Sequence, residues 1–263
     1  MIKSYTDKLI FVDDQFMRDL EQESVTDLVK FENPDPDTQI IRLPLVPDEL
    51  TELTNYIDIS EVKVGNILVK PGYSNKFIQI EDFAEDNTLR KYRLWVQLCI
   101  ALGAKKVSVT DIQKVIVDSG EVSTTNVDAS GKVTVVSADA DMTVKKSSHE
   151  DELKEKITKI SAVAQGSMPN LEAAKRILKD YKLLNDDMFV SIYEMRELGF
   201  NPLKEHKFEL DFAKDLKKVF DTSIKAKFDV MAKVYKGRVA LDAKSNAFNN
   251  ARTATKLVIN VEF

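Results

Sequence analysis

Two hydrophobic periods follow one another along this chain, one near 3.6 residues and one of 2. Phe16, Met17 and Leu20 recur at helical spacing and predict a short helix over Asp14–Gln22. The pentad Asn33-Pro34-Asp35-Pro36-Asp37 is a loop, because each proline restricts itself and the residue before it. Beyond Ile40–Leu45, Pro47 at a first helical position with Asp48 and Glu49 in the first turn starts a helix reaching about Tyr56. Val62–Lys70 and Lys76–Glu81 then read as strands joined by the hairpin-type linker Pro71-Gly72-Tyr73-Ser74-Asn75. A core helix follows, capped by Asp86, Asn87 or Thr88, closed by Gly103, and apolar through Leu89, Tyr92, Trp95, Val96, Cys99 and Leu102.

From Lys105 the period falls to 2, and Val107–Val117 and Lys132–Val144 are expected as strands. Ser147 and Glu150 are spaced as a capping box for a helix running through Leu153, Ile157, Ile160 and Val163. Further helices are expected at Leu171–Leu184 and at Asp187–Leu198, the latter ended by Gly199 and Pro202. Phe208–Phe212 reads as a short strand and Ala213–Phe220 as a brief helix. Ile224, Ala226, Phe228, Val230, Ala232 and Val234 then alternate with polar or longer side chains. Val239, Leu241 and Ala243 continue the alternation past Gly237, and Leu257, Ile259, Val261 and Phe263 resume it beyond a Ser245–Asn250 turn. The expected fold class is therefore α+β: a large antiparallel sheet with long C-terminal strands, covered on one face by helices. A single compact domain, 1–263, is expected, with an acidic N-terminal subregion over 1–82 and a sheet-and-helix core over 83–263.

The composition agrees with a folded chain. Of 263 residues 43% are hydrophobic, and 38 Lys and Arg against 43 Asp and Glu leave a net charge of only −5, unlike a disordered sequence. Charge is split along the chain: residues 1–100 carry 11 basic and 19 acidic side chains (−8), the remainder 27 and 24 (+3). Such polarity favours head-to-tail association or contact with an anionic surface. The lone Cys99 cannot form an intrachain disulfide, and Leu9–Val12 is too short for a secretory leader, so a cytoplasmic location is expected.

Material for catalysis is thin. There are 2 histidines, His149 and His206, and the 8 glycines stand singly, so neither a His-based triad or zinc site nor a phosphate-cradling loop is expected. Asn126–Gly131 follows the first half of a calcium loop, but Ser137 stands where the bidentate Glu belongs, and a turn between strands is preferred. Asp139 and Asp141 share a polar strand face, which accounts for them without a cation. No metal or cofactor is expected. Glu61-Val62-Lys63, preceded by Pro34-Asp35, Pro36-Asp37 or Pro47-Asp48, resembles the Asp…Glu-x-Lys constellation of metal-dependent nucleases. That resemblance implies Asp48 and Glu61 as Mg²⁺ ligands and Lys63 as the residue positioning water.

Lys225, Lys227 and Lys233 stripe one face of the expected strand over 224–234, with Lys217 and Lys218 upstream, and form the candidate surface for a partner or an anionic membrane. As solvated lysines they would also guard a long strand against edge pairing. Aromatic interleaving for nucleic acid is weak. The long alternating ribbons, with small Ala138, Ala140, Ala226 and Ala232 opposite charges, also resemble in architecture the convertible hairpins of gasdermin-like and perforin-like pore formers. The leading expectation is a non-enzymatic structural or interaction protein that self-assembles into a homo-oligomer or binds another protein. A membrane-acting pore former and a Mg²⁺-dependent hydrolase are the alternatives.

Overall fold

The computed structural model describes residues 2–3, 5–118, 121–127, 133–135, 148–198, 203–235 and 253–263. In chain order the elements are β1 (Lys8–Asp13), α1 (Asp14–Glu23), α2 (Val25–Glu32), β2 (Thr38–Leu43), α3 (Pro47–Leu53), a 3₁₀ turn (Ile59–Glu61), β3 (Ile67–Val69), β4 (Ile78–Gln79), α4 (Phe83–Ala101), β5 (Lys106–Asp118), β6 (Glu121–Val127), β7 (Val133–Val135), α5 (Ser148–Ile160), β8 (Ala162–Val163), α6 (Leu171–Asp180), α7 (Asp187–Glu197), β9 (Glu205–Asp211), α8 (Ala213–Val219), α9 (Thr222–Val234) and β10 (Thr253–Glu262). The fold is α+β, as expected. The residues pack as two compact units, one formed by 1–84, 118–121 and 215–252, the other by 85–117, 122–214 and 253–263. The change of unit near residue 84 falls close to the expected subregion boundary, but the first unit takes back a later stretch of chain.

In the first unit the sheet order is β2-β1-β3-β4, with β1 parallel to β2 and antiparallel to β3. Both faces of β1 are covered, and Leu9, Ile10, Phe11 and Val12 are fully buried. On one face Leu9 and Phe11 join Ile41, Leu53, Ile57, Leu68 and Phe77, which seats α3 on the sheet. Helices α1, α2 and α9 pack on one another, with Phe16 stacked on Tyr235 at 4.9 Å and edge-on to Phe31 at 4.9 Å.

In the second unit the order is β7-β6-β5-β10-β9, with β8 on the end of β5. β10 lies antiparallel to both β5 and β9. Its core centres on Trp95 of α4, met edge-on by Phe189 of α7 at 5.5 Å and by Phe208 of β9 at 5.1 Å. Cys99 is fully buried, and burial pushes its thiol far above the ordinary range, consistent with a small hydrophobe. No helix among the described residues is long and apolar enough to cross a membrane.

One expectation is overturned. Residues 222–234 are not a strand but helix α9, whose N-terminus is capped by Asp221 accepting from the Ile224 N–H at 2.9 Å. Of its buried positions, Ile224, Lys227, Phe228, Met231 and Val234 recur at three- and four-residue spacing, with Val230 buried beside them. Lys227 sits inside that stripe and disguises it, while Ala226 and Ala232, both good helix formers, supply a false period of 2. The expected face of Lys225, Lys227 and Lys233 therefore does not exist as a strand face. Lys227 is 2% exposed and cannot meet a partner or a membrane. The alternating ribbon behind the pore-forming reading is lost over the same stretch.

Other differences are smaller. The expected strand at Val62–Lys70 shortens to β3, because the chain turns just before it: Asn66 N–H donates to the Lys63 carbonyl at 3.1 Å and Gly65 takes a φ of +83°. Of the strand at 132–144 only β7 lies within the described residues, and 136–144, Asp139, Asp141, Gly131 and the 239–250 stretch lie outside them.

Candidate functional site

A group of charged side chains gathers in the first unit, around the start of β1. Lys8 enters β1 with its side chain 2% exposed, donating to Asp221 and, at 3.3 Å, to Asp37. The backbone repeats the connection, since the N–H groups of Asp7 and Lys8 both donate to the Asp37 carbonyl, at 2.8 and 2.9 Å. Two prolines hold Asp35 and Asp37 in a tight loop, where the Thr38 hydroxyl donates to Asp35 at 3.0 Å and to Asp37 at 3.2 Å. Asp221 has two jobs: one oxygen caps α9 and the other takes the Lys8 ammonium.

Asp35, Asp37 and Asp221 bring one carboxylate oxygen each within 4.8 Å of the others, the sort of separation a divalent cation could bridge. Here the cation among them is Lys8. Burial works against the lysine charge, but the hydrogen bond and charge of Asp221, helped by Asp37, outweigh it and hold the Lys8 pKa above its ordinary value. Burial and the neighbouring Asp35 raise Asp37, whereas Asp35, although burial pushes it upward, is held lower by hydrogen bonds from Asp37, Ser223 and Thr38. The two carboxyls thus divide their protonation, as close acids do.

Lys227 closes the far side of the loop. Its ammonium donates to the carbonyls of Phe31 at 2.5 Å and Asn33 at 2.9 Å, at the negative end of α2. Burial lowers its pKa against the pull of Asp35 and Asp221. Lys233, one turn and a half further along α9, pairs with Asp27 of α2 at 2.6 Å. Chemically the arrangement is an ionic staple tying β1, loop 33–37, α2 and α9 together. An Asp221→Asn substitution is expected to keep the cap and lose the charge, whereas Asp221→Ala loses both. Urea unfolding should therefore rank Ala below Asn by about 1 kcal/mol, and equal midpoints would show the cap contributes nothing.

The pairing of Asp27 with Lys233 contributes to stability on the acid side. The Lys233 hydrogen bond and charge, with Lys30, hold the Asp27 carboxyl below its ordinary range. Its contribution is present above the ordinary carboxylate pKa and is lost as pH falls through the lower folded value. Lys233→Met is expected to flatten stability against pH in that acid window and also at the alkaline end, where Lys233, raised by its hydrogen bond and charge pairing with Asp27, gives a contribution lost as pH rises through its folded value, as read by unfolding at a series of pH values.

The residues expected from the nuclease resemblance take separate roles. Asp48 is exposed in the first turn of α3, Glu61 accepts from the Gln79 side chain, and Lys63 is exposed. Neither Asp48 nor Glu61 belongs to the three-carboxylate group. Lys217 and Lys218 are exposed in the last turn of α8, where they face the helix dipole favourably. Sequence reasoning missed the staple because it read 224–234 as extended. Asp221-Thr222-Ser223 ahead of Ile224 carried the N-cap signal that would have exposed it.

A second feature is a groove between β2 and α3, lined by Ile2, Ile40, Ile41, Leu45, Glu52 and Leu53. An adjoining apolar hollow continues it through Leu43, Pro44, Leu50, Val62 and Val64. The strand beside it ends the sheet, and of its six residues only Arg42 is charged. The end strand of the other sheet, β9, instead exposes Glu205, Lys207, Glu209 and Asp211. Charges so placed discourage edge pairing, and β2 carries only one, the exposed Arg42.

Set against known protein families, curated proteins and solved structures, the chain matches none.

Proposed function

We propose that this chain is a non-enzymatic structural or interaction protein that associates, with copies of itself or with another protein, through a sheet edge. The observation that supports this reading is the contrast between β9, which exposes four charged side chains, and β2, which carries only Arg42 and lies beside a groove of mixed apolar and polar lining. A strand edge offers a row of backbone donors and acceptors, and a groove next to it offers places for alternate side chains. The buried charges point the same way. Lys8, Lys91, Arg196 and Lys227 are spent on holding segments together: Lys91 pairs with Asp186 at 2.6 Å, and Arg196 donates to the carbonyls of Leu102 and Leu203.

Light scattering after size exclusion, over a range of concentrations, tests the self-associating form of the proposal. A mass that rises above one chain with concentration is expected. A mass fixed at one chain up to millimolar concentration would remove self-assembly.

A further inference from the structure

We infer that the groove between β2 and α3 receives an extended, basic segment of a partner protein, which adds to the sheet as a strand alongside β2; this rests on the interaction reading above. The phase of the β1 to β2 ladder fixes which backbone groups are available. Lys8 stands opposite Thr38 in a parallel register and donates its N–H to the Asp37 carbonyl. In a parallel ladder the partner strand then turns Gln39, Ile41 and Leu43 toward β1, and Thr38, Ile40 and Arg42 outward. The Thr38 N–H is used by the Asp35 carbonyl at 3.1 Å, so the outward groups of Ile40 and Arg42 are those a new strand would meet.

The same groove specifies what kind of strand. Its lining is apolar at Ile2, Ile41, Leu45 and Leu53, which suits the alternate side chains of an extended segment, and it also holds Arg42, whose guanidinium pairs with Glu32 at 3.8 Å. Its α3 rim is acidic: Asp48, Glu49 and Glu52 lie on a helix with no basic residue. Glu49 is engaged by the Val46 N–H at 3.3 Å. Glu52 is half-buried in the groove wall; its backbone carbonyl accepts from Asn55, while its carboxylate makes no hydrogen bond or ion pair with the described residues. A partly buried carboxylate in that position calls for a cation from the occupant, so a Lys or Arg on the added strand would complete it.

Two synthetic peptides test this on the full chain, one of alternating valine and lysine and one with glutamate in place of lysine. The lysine peptide is expected to bind, to shift the Ile40 and Arg42 amide resonances and to slow their hydrogen exchange. Glu52→Gln, a near-isosteric change, is expected to weaken that binding about tenfold, in line with the loss of one charge-assisted hydrogen bond. Three results overturn the proposal: no binding at millimolar peptide, equal binding of the glutamate peptide, or binding that leaves the Ile40 and Arg42 amides unchanged. The outcome is separable from the broader reading. Concentration-dependent assembly without any effect of peptide on β2 removes this groove alone, and peptide bound at β2 by a strictly monomeric chain keeps the groove and removes self-assembly.

Discussion

Replacing Lys8 by methionine should destabilise the protein by about 3 kcal/mol at neutral pH, because it leaves acids gathered without their cation. The figure sits at the low end for breaking a buried pair, since Asp37 and Asp221 are 39% and 35% exposed and can recover some water. The loss should shrink on acidification, as protonation of Asp37, already raised by burial and Asp35, relieves the repulsion. The wild-type chain carries the complementary signature at the other end of the scale. Lys8 has its pKa raised in the fold, so its stabilisation is complete below the ordinary lysine value and is lost as pH rises through the higher folded one. Urea midpoints for both proteins from acid to alkaline pH provide the check. A Lys8→Met penalty that is the same at pH 4 and pH 8 would mean that lost packing, not charge, sets the cost.

The second large effect is expected at Gly103. This residue ends α4 with a φ of +91°, and a Cβ built there would stand 2.2 Å from the Ser167 carbonyl oxygen. Both the left-handed backbone and the close approach require glycine. The strap that passes over it, residues 161–170, is held by backbone bonds from Ser167 N–H to Gly103 at 3.3 Å and from Asn170 N–H to Ala101 at 2.9 Å. Gly103→Ala must either displace that strap or strain the helix end, and should cost about 2–4 kcal/mol. Thermal unfolding of the variant, with amide exchange at Asn170 as a local probe, measures it. A change under about 0.5 kcal/mol would show that the strap yields freely.

Most elements of the fold were legible where one physical signal stood alone. Pro47 with Asp48 and Glu49 marked α3, Gly103 marked the end of α4, and alternation through Val107–Val117 marked β5. Reading failed where two periods overlapped. In 224–234 the residues at even positions are apolar, yet the chain coils because Lys227 completes a helical stripe by reaching the open carbonyls at the end of α2. A buried lysine is rare without partners, and those partners lie far away in sequence, so nothing local could reveal them. α2 itself was missed, since Val25 and Val29 lie on its exposed side and blur its amphipathic pattern. The staple depended on both, and so the candidate site was hidden although Asp35, Asp37 and Asp221 were each in plain view. The groove was hidden differently: the sequence showed an isoleucine pair near residue 40 but not that its strand would end a sheet.

The interleaved course of the chain has a practical consequence for anyone wishing to dissect it. A fragment cut at residue 84 carries all the strands of the first sheet but lacks Asp221, Lys227 and Tyr235, so Lys8 loses one counter-charge and Phe16 loses the ring stacked on it. A faithful miniature would need the later stretch that carries α9, without β10, spliced back on through a designed bridge.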